Sequence, residues 1–175
     1  MKSLVAGVLG LVTILITPIA SAKGETVRIE ITAATLATPL EITNPQVVDN
    51  FSVWTGPGVR INGQSVHRDP KMQSRAFIDW PRGPVAGPPK GLQGYKVSFF
   101  CVFPRQKAAQ LAYVVLYEHD LETGRGYMYL PGRGDEYYRL NTSSIVHEVE
   151  GHWFYASDTW ERLVRPLVEA SLNRQ

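Results

Sequence analysis

The sequence predicts an α+β protein: an antiparallel β-meander sheet packed against a C-terminal helix, with a long Gly/Pro-rich loop over part of it. Three observations carry this expectation. Tyr95 to Pro131 holds three runs rich in Val, Tyr and Phe (YKVSFFCVF, AYVVLYEHD and GYMYLP), with turn residues between the last two. Trp160, Leu163, Val164, Leu167, Val168 and Leu172 form an apolar stripe at helical spacing. Between Ser52 and Gly94, seven Gly and six Pro fall among 43 residues, a density of breakers that periodic structure does not survive.

Met1 to Ala22 reads as a secretory signal peptide, with Lys2 as the basic start, an apolar run from Leu4 to Ile19, and Ala20-Ser21-Ala22 as the cleavage site. Gly7, Gly10, Thr13, Thr17 and Pro18 interrupt the run too often for a bilayer span, which needs about 20 residues. Cleavage near Ala22 leaves residues 23–175, the size of one globular domain, secreted or periplasmic and without a membrane span. Without Lys2 the chain has 17 basic against 16 acidic residues and no basic block, so nucleic acid is not an expected partner. Cys101 is the only cysteine, which excludes an internal disulfide, and its apolar neighbours Phe99, Phe100 and Val102 mark a buried, inert thiol.

Along the chain, Thr26 to Thr32 alternates, placing Val27, Ile29 and Ile31 on one face and Arg28 and Glu30 on the other. Pro39 to Thr43 predicts a short strand, and Asn44-Pro45 an N-cap and first turn of a short helix. The Gly/Pro-rich excursion carries apolar anchors (Trp54, Val59, Ile61, Phe77, Ile78, Trp80), which predict a loop packed on the body rather than a linker. Leu111 to Leu116 is apolar on both faces and belongs centrally in the sheet. Asp120 to Gly124 closes a hairpin whose register pairs Asp120 with Arg125, Glu118 with Tyr127 and Leu116 with Tyr129. Ile145 to Val149 and His152 to Ala156 read as strand pieces separated by Gly151, with helix also readable before that glycine. Asp158-x-x-Glu161 has the spacing of a capping box, and Pro166 predicts a kink or two abutting short helices.

Candidate chemistry is sparse. His147 and His152 stand five apart, which on a helix turns the second about 140° from the first and in a strand puts them on opposite faces. They do not make a zinc-protease pair, and no metal site or cofactor is expected. Glu118, His119 and Asp120 gather ionisable groups at the end of a central strand and are the catalytic candidates, with Glu118 and Asp120 on one face. The grouping best suited to binding is Arg125, Tyr127, Tyr129, Arg133 and Tyr137, because tyrosines beside guanidinium groups combine flat apolar area with directed donors. Trp54 and Trp80 are expected to border a groove with those tyrosines. Arg133-Gly134-Asp135 reads as a glycine turn, and Asn141-Thr142-Ser143 is a formal glycosylation acceptor.

The run YVVLYEHDLETGRGYMYLPGRGDEYYRLNTSSIVHEVEGHWFYASDTWERLVRP, about a third of the chain, resembles a pattern in small secreted bacterial proteins of unknown function. That resemblance implies an extracytoplasmic bacterial protein; it brings no activity and no site residues. The leading expectation is therefore an exported, non-enzymatic binding or interaction module whose partner is a protein or glycan of the cell envelope. The alternative is an envelope hydrolase acting on glycan or peptide.

Overall fold

A computed structural model of the chain describes residues 23–58, 60–61, 64–65, 74–143 and 145–173. The signal peptide read at Met1 to Ala22 and the anchor Val59 lie outside them, as does the side chain of Ile61. The fold is α+β. Strands β1 (Glu25–Thr32), β2 (Leu40–Ile42), β5 (Gln93–Val102), β6 (Gln110–Asp120), β7 (Arg125–Tyr129) and β8 (Trp153–Tyr155) form an antiparallel sheet of order β2-β1-β5-β6-β7-β8. A two-stranded ribbon, β3 (Arg60–Ile61) with β4 (Gln64–Ser65), stands apart from that sheet. Helices α1 (Pro45–Val48), α2 (Tyr138–Thr142), α3 (Asp158–Leu163) and α4 (Arg165–Leu172), with a 3-10 turn at Trp80–Arg82, complete the described elements. Among the described residues no helix is long and apolar enough to cross a membrane.

The hairpin β6–β7 has the register read from its sequence, with Asp120 opposite Arg125, Glu118 opposite Tyr127 and Leu116 opposite Tyr129. Its turn closes through Gly124, whose N–H donates to the Asp120 carbonyl (2.8 Å) and whose φ of 66° is the left-handed exit that glycine adopts without a Cβ penalty. Because strand side chains alternate, the register divides the sheet into two faces. Ile29, Ile31, Tyr95, Val97, Phe99, Cys101, Tyr113, Val115, Tyr117, Met128 and Phe154 share the inner face and are buried. Arg28, Glu30, Lys96, Phe100, Glu118, Tyr127, Tyr129, Trp153 and Tyr155 share the outer one.

Simple alternation fails in β1. Val27 was expected beside Ile29 and Ile31, but a bulge between Thr26 and Arg28 inserts it as an unpaired residue. Thr26 is turned inward, with its Oγ1 3.9 Å from the Cys101 Sγ, and Val27 is 36% exposed. Cys101 is itself fully buried, and burial pushes its thiol up to about 11, so it is an inert packing group. In α1, Asn44 caps as expected by accepting from the Gln46 N–H (3.0 Å).

The C-terminal segment divides at Pro166, which has no N–H to continue the helical ladder, so Val164 ends α3 and begins α4. The expected start is corrected by one residue: Ser157, not Asp158, is the N-cap, its Oγ accepting from the Trp160 N–H (3.1 Å). Glu161 is thereby released from a capping role. Ser157 also donates from Oγ to the Ala76 carbonyl (2.7 Å) and from N to the Phe77 carbonyl (2.9 Å), and Ile78 bridges to Ala156. The excursion is thus tied to the start of α3 on the inner face. Trp160 is fully buried between the layers, with its indole in ring contact with Phe51, Phe77, Phe99 and Tyr117.

Two further expectations change. Ile145 to Val149 forms none of the described strands: Glu148 takes a φ of 64° and the His147 N–H donates to the Glu150 Oε1 (2.6 Å), which turns the chain instead of extending it. The formal acceptor Asn141 is fully buried in α2, where it serves the sheet. Its Oδ1 accepts from the Val114 N–H (2.9 Å) and its Nδ2 donates to the Val114 carbonyl (2.7 Å). Val114 lies two residues beyond the last β6–β7 pair, so the carboxamide replaces a strand partner on an edge that would otherwise bury unpaired groups.

Candidate functional site

The site is built where the β6–β7 hairpin, the start of β5 and helix α4 meet. His119 enters it because β6 places odd-numbered residues inward next to Tyr117, and Arg165 and Glu169 enter it from α4, one turn apart. Together they line a cavity of about 530 Å³ with Tyr95, Leu92, Val168 and Leu172. One side is apolar, and the floor carries convergent polar groups, the general form of small-molecule sites.

The polar groups of the floor are held mainly by one another, with Arg165 Nε and Glu161 Oε2 buried without a hydrogen bond. Arg165 Nη1 donates to His119 Nε2 (3.3 Å), and the Gly124 carbonyl bonds the other side of the ring, so His119 holds its proton on Nδ1. Burial first, and the Arg165 charge second, lower its pKa and keep it neutral. Behind it, Glu161 lies 3.7 Å from His119 Nε2 and 3.5 Å from Arg165 Nε, and its Oε1 accepts from the Tyr117 hydroxyl (3.0 Å). Burial dominates here too, raising the Glu161 carboxyl to about 7 despite the Tyr117 bond and the Arg165 charge, both of which lower it. Burial and the neighbouring carboxylate raise the Tyr117 hydroxyl well above the usual phenol range.

Gly126 makes this arrangement possible. It stands opposite His119 in β7, and a Cβ there would overlap the Glu161 carboxylate and come 2.6 Å from the Tyr117 ring. Gly126→Ala should therefore destabilise the fold by about 1–3 kcal/mol, the usual range for forced overpacking. In a double-mutant cycle with Glu161→Ala, the two changes should couple by about 1 kcal/mol or more, because they dispute one volume. Additive losses in urea unfolding would refute the shared site.

The three catalytic candidates separate. Asp120 borders the cavity, but its carboxylate belongs to the turn, with Oδ1 accepting from the Glu122 and Thr123 N–H groups (2.9 and 3.3 Å) and Oδ2 from the Thr123 hydroxyl (2.6 Å). The Thr123 bond foremost holds that carboxyl below its usual range. Glu118 is on the outer face, lining a separate cavity of about 390 Å³ with Thr32, Lys96 and Leu116, where burial raises its carboxyl. Glu118 and Asp120 thus line different cavities.

The aromatic candidates fall into two sets. On the outer face Tyr127 packs on Tyr155 (5.4 Å between rings) and Tyr129 on Trp153 (5.0 Å), with the Arg125 guanidinium 5.4 Å from the Tyr155 ring. Tyr137 lies 5.7 Å from Lys96 Nζ, and Arg133 is exposed in the turn where Asp135 accepts from the Tyr129 hydroxyl (2.9 Å). Trp54 and Trp80 are elsewhere. The Trp54 indole donates to the Gly24 carbonyl (2.7 Å) and packs on Phe103, while Trp80 packs on Phe154 and His147 of the inner layer. The groove expected between these tryptophans and the tyrosines therefore does not form, because Phe154 and its neighbours Trp153 and Tyr155 point to opposite faces of β8. The excursion reaches the outer face further on, through Arg82, 5.5 Å from the Tyr155 ring, and through Gly87, where an added Cβ would come 2.9 Å from the Trp153 ring.

His147 is fully buried against Trp80 and Tyr113, with its pKa lowered by burial to about 4, whereas His152 is exposed. Among the described residues no group of three or more His, Cys, Asp or Glu side chains converges as a metal site. The residues missed from sequence are Glu161, Arg165 and Glu169. Their signal was positional: spaced four apart, they flank the stripe of Trp160, Val164 and Val168, so the first two could not both be turned to water.

Fold and cavity together define an α+β sheet protein with a ligand-sized opening at the end of its central hairpin. Comparison with protein-family models, curated proteins and solved structures gives no match.

Proposed function

We propose that this chain is an exported, non-enzymatic binding module that takes a small ligand, or a terminal group of an envelope component, into the cavity between α4 and the β6–β7 hairpin. The observation that carries this reading is the combination of an opening of about 530 Å³, apolar on one side, with a floor on which His119 and Asp120 are already held by internal hydrogen bonds. A general base needs an accessible lone pair, and both His119 nitrogens are engaged. Recognition needs the opposite, side chains locked before the ligand arrives. Export rests on the leader-like composition of Met1 to Ala22.

The test is uptake of the uncharged fluorophore N-phenyl-1-naphthylamine by the purified protein. Saturable binding at one site per chain is expected, with loss of binding in Leu172→Trp, which fills the mouth from the end of α4 with little demand on the core. Absence of saturable binding, or equal binding by the Leu172→Trp chain, would overturn the reading.

A further inference from the structure

We infer that the cavity takes an uncharged acyl group, the carbonyl of an ester or amide at the end of an apolar chain; this rests on the binding function proposed above. Its polar lining is unevenly occupied. His119 and Asp120 are held by internal hydrogen bonds, and the Tyr117 hydroxyl is committed to Glu161. Two donors are left over. The Tyr95 hydroxyl makes no hydrogen bond among the described residues and, unlike the hydroxyl of Tyr113, is not sealed inside the core. Arg165 spends Nη1 on His119 (3.3 Å), whereas its Nη2 makes no hydrogen bond among the described residues and the side chain is 33% exposed. A guanidinium can only donate and a phenol hydroxyl donates readily, so the group that completes both is an oxygen acceptor.

Charge decides that the acceptor is a carbonyl and not a carboxylate. Arg165 is offset by Glu169, whose carboxylate lies 3.9 Å from Nε, while burial keeps His119 neutral and lifts the Glu161 carboxyl to about 7. Lys90 and Glu122 add one charge of each sign, and the Asp120 carboxylate is held in its turn. A carboxylate head would lie beside Glu169 with no counter-charge left for it, and an ammonium would meet two donors that it cannot serve. A carbonyl accepts from both and brings no charge to desolvate. Leu92, Val168 and Leu172 supply the wall for its alkyl chain, and Leu121, 79% exposed, adds apolar surface at the hairpin turn.

Displacement of N-phenyl-1-naphthylamine by methyl hexanoate, 1-chlorohexane, hexanoate and hexylammonium separates these cases, because the probes share an alkyl chain and differ at its end. Measured against transfer from water to hydrocarbon, methyl hexanoate should bind about tenfold or more better than 1-chlorohexane, which lacks the oxygen acceptor, and both ions should compete more weakly than the ester. Tyr95→Phe should remove about three- to tenfold of the ester's advantage over 1-chlorohexane. The infrared carbonyl band of the bound ester should lie below its position in hydrocarbon solvent, as a hydrogen-bonded carbonyl requires. An ion competing as well as the ester, an unshifted carbonyl band, or an ester advantage indifferent to Tyr95→Phe would overturn the carbonyl preference while the naphthylamine uptake stands. Should the Tyr95→Phe chain fail to fold, the probe ranking and the carbonyl band of the unaltered protein decide. Failure of all four probes together with failure of naphthylamine uptake would overturn the binding site itself.

Discussion

Replacing Trp160 with alanine is expected to cost about 3–5 kcal/mol of stability, the range for removing a large aromatic side chain from a packed core. Its indole reaches the middle of the sheet's inner face, touching Phe51 and Phe77 from the segments above and Phe99 and Tyr117 from β5 and β6. Removing it empties a volume walled by groups from four parts of the chain, which cannot all move inward at once. The indole Nε1 is buried without a hydrogen-bond partner, so Trp160→Phe removes an unpaired donor along with some volume and should cost well under the alanine figure. Urea unfolding of the two variants measures both. A loss below about 1 kcal/mol for Trp160→Ala would show that α3 is not the clamp that these contacts describe.

Glu161→Gln is expected to stabilise the protein at pH 8 by about 3 kcal/mol relative to its effect at pH 4.5. The folded carboxyl is raised from 4.5 to about 7, so between those values the folded chain binds more protons than the unfolded chain. Stability contributed by the neutral acid is complete below about pH 4.5 and is lost as pH rises through 7. Glutamine imitates the neutral acid at every pH and escapes that loss. His147 works in the opposite direction: its pKa falls from 6.5 to about 4, and its contribution is present above 6.5 and lost on acidification. Both chains keep His147, so it cancels in their difference. Unfolding both across pH 4.5 to 8 gives the result, and a difference independent of pH would mean that Glu161 is not held in the neutral form.

Much of the sheet was legible because its determinants are local. The hairpin needs only Asp120 to start a turn, Gly124 to leave it and alternating side chains on either arm, and with these the register of β6 against β7 follows. Pro166 divides the last helix through its own missing N–H, wherever that helix packs. The bulge at Val27 was not legible, since an extra residue in β1 is defined only by what β5 presents opposite it. The structural role of Asn141, read as a formal glycosylation acceptor, was not legible because its partners, the Val114 N–H and carbonyl, are 27 residues away.

The candidate site shows the same division. His119 could be noticed from its strand-end position, whereas Glu161 and Arg165, beside the apolar stripe, join it only once α3 and α4 are laid on the sheet. That docking takes their charges out of water beside Tyr117, and Gly126 leaves the space that admits the carboxylate. By itself the sequence determined an α+β chain with a meander, a broken C-terminal helix and a buried thiol, because turn chemistry, side-chain period and proline geometry act over a few residues. Tertiary structure decided which face the excursion covers, which histidine is buried and where the ionisable groups converge. Those outcomes depend on desolvation and on contacts between segments far apart in the chain, and no local pattern encodes either.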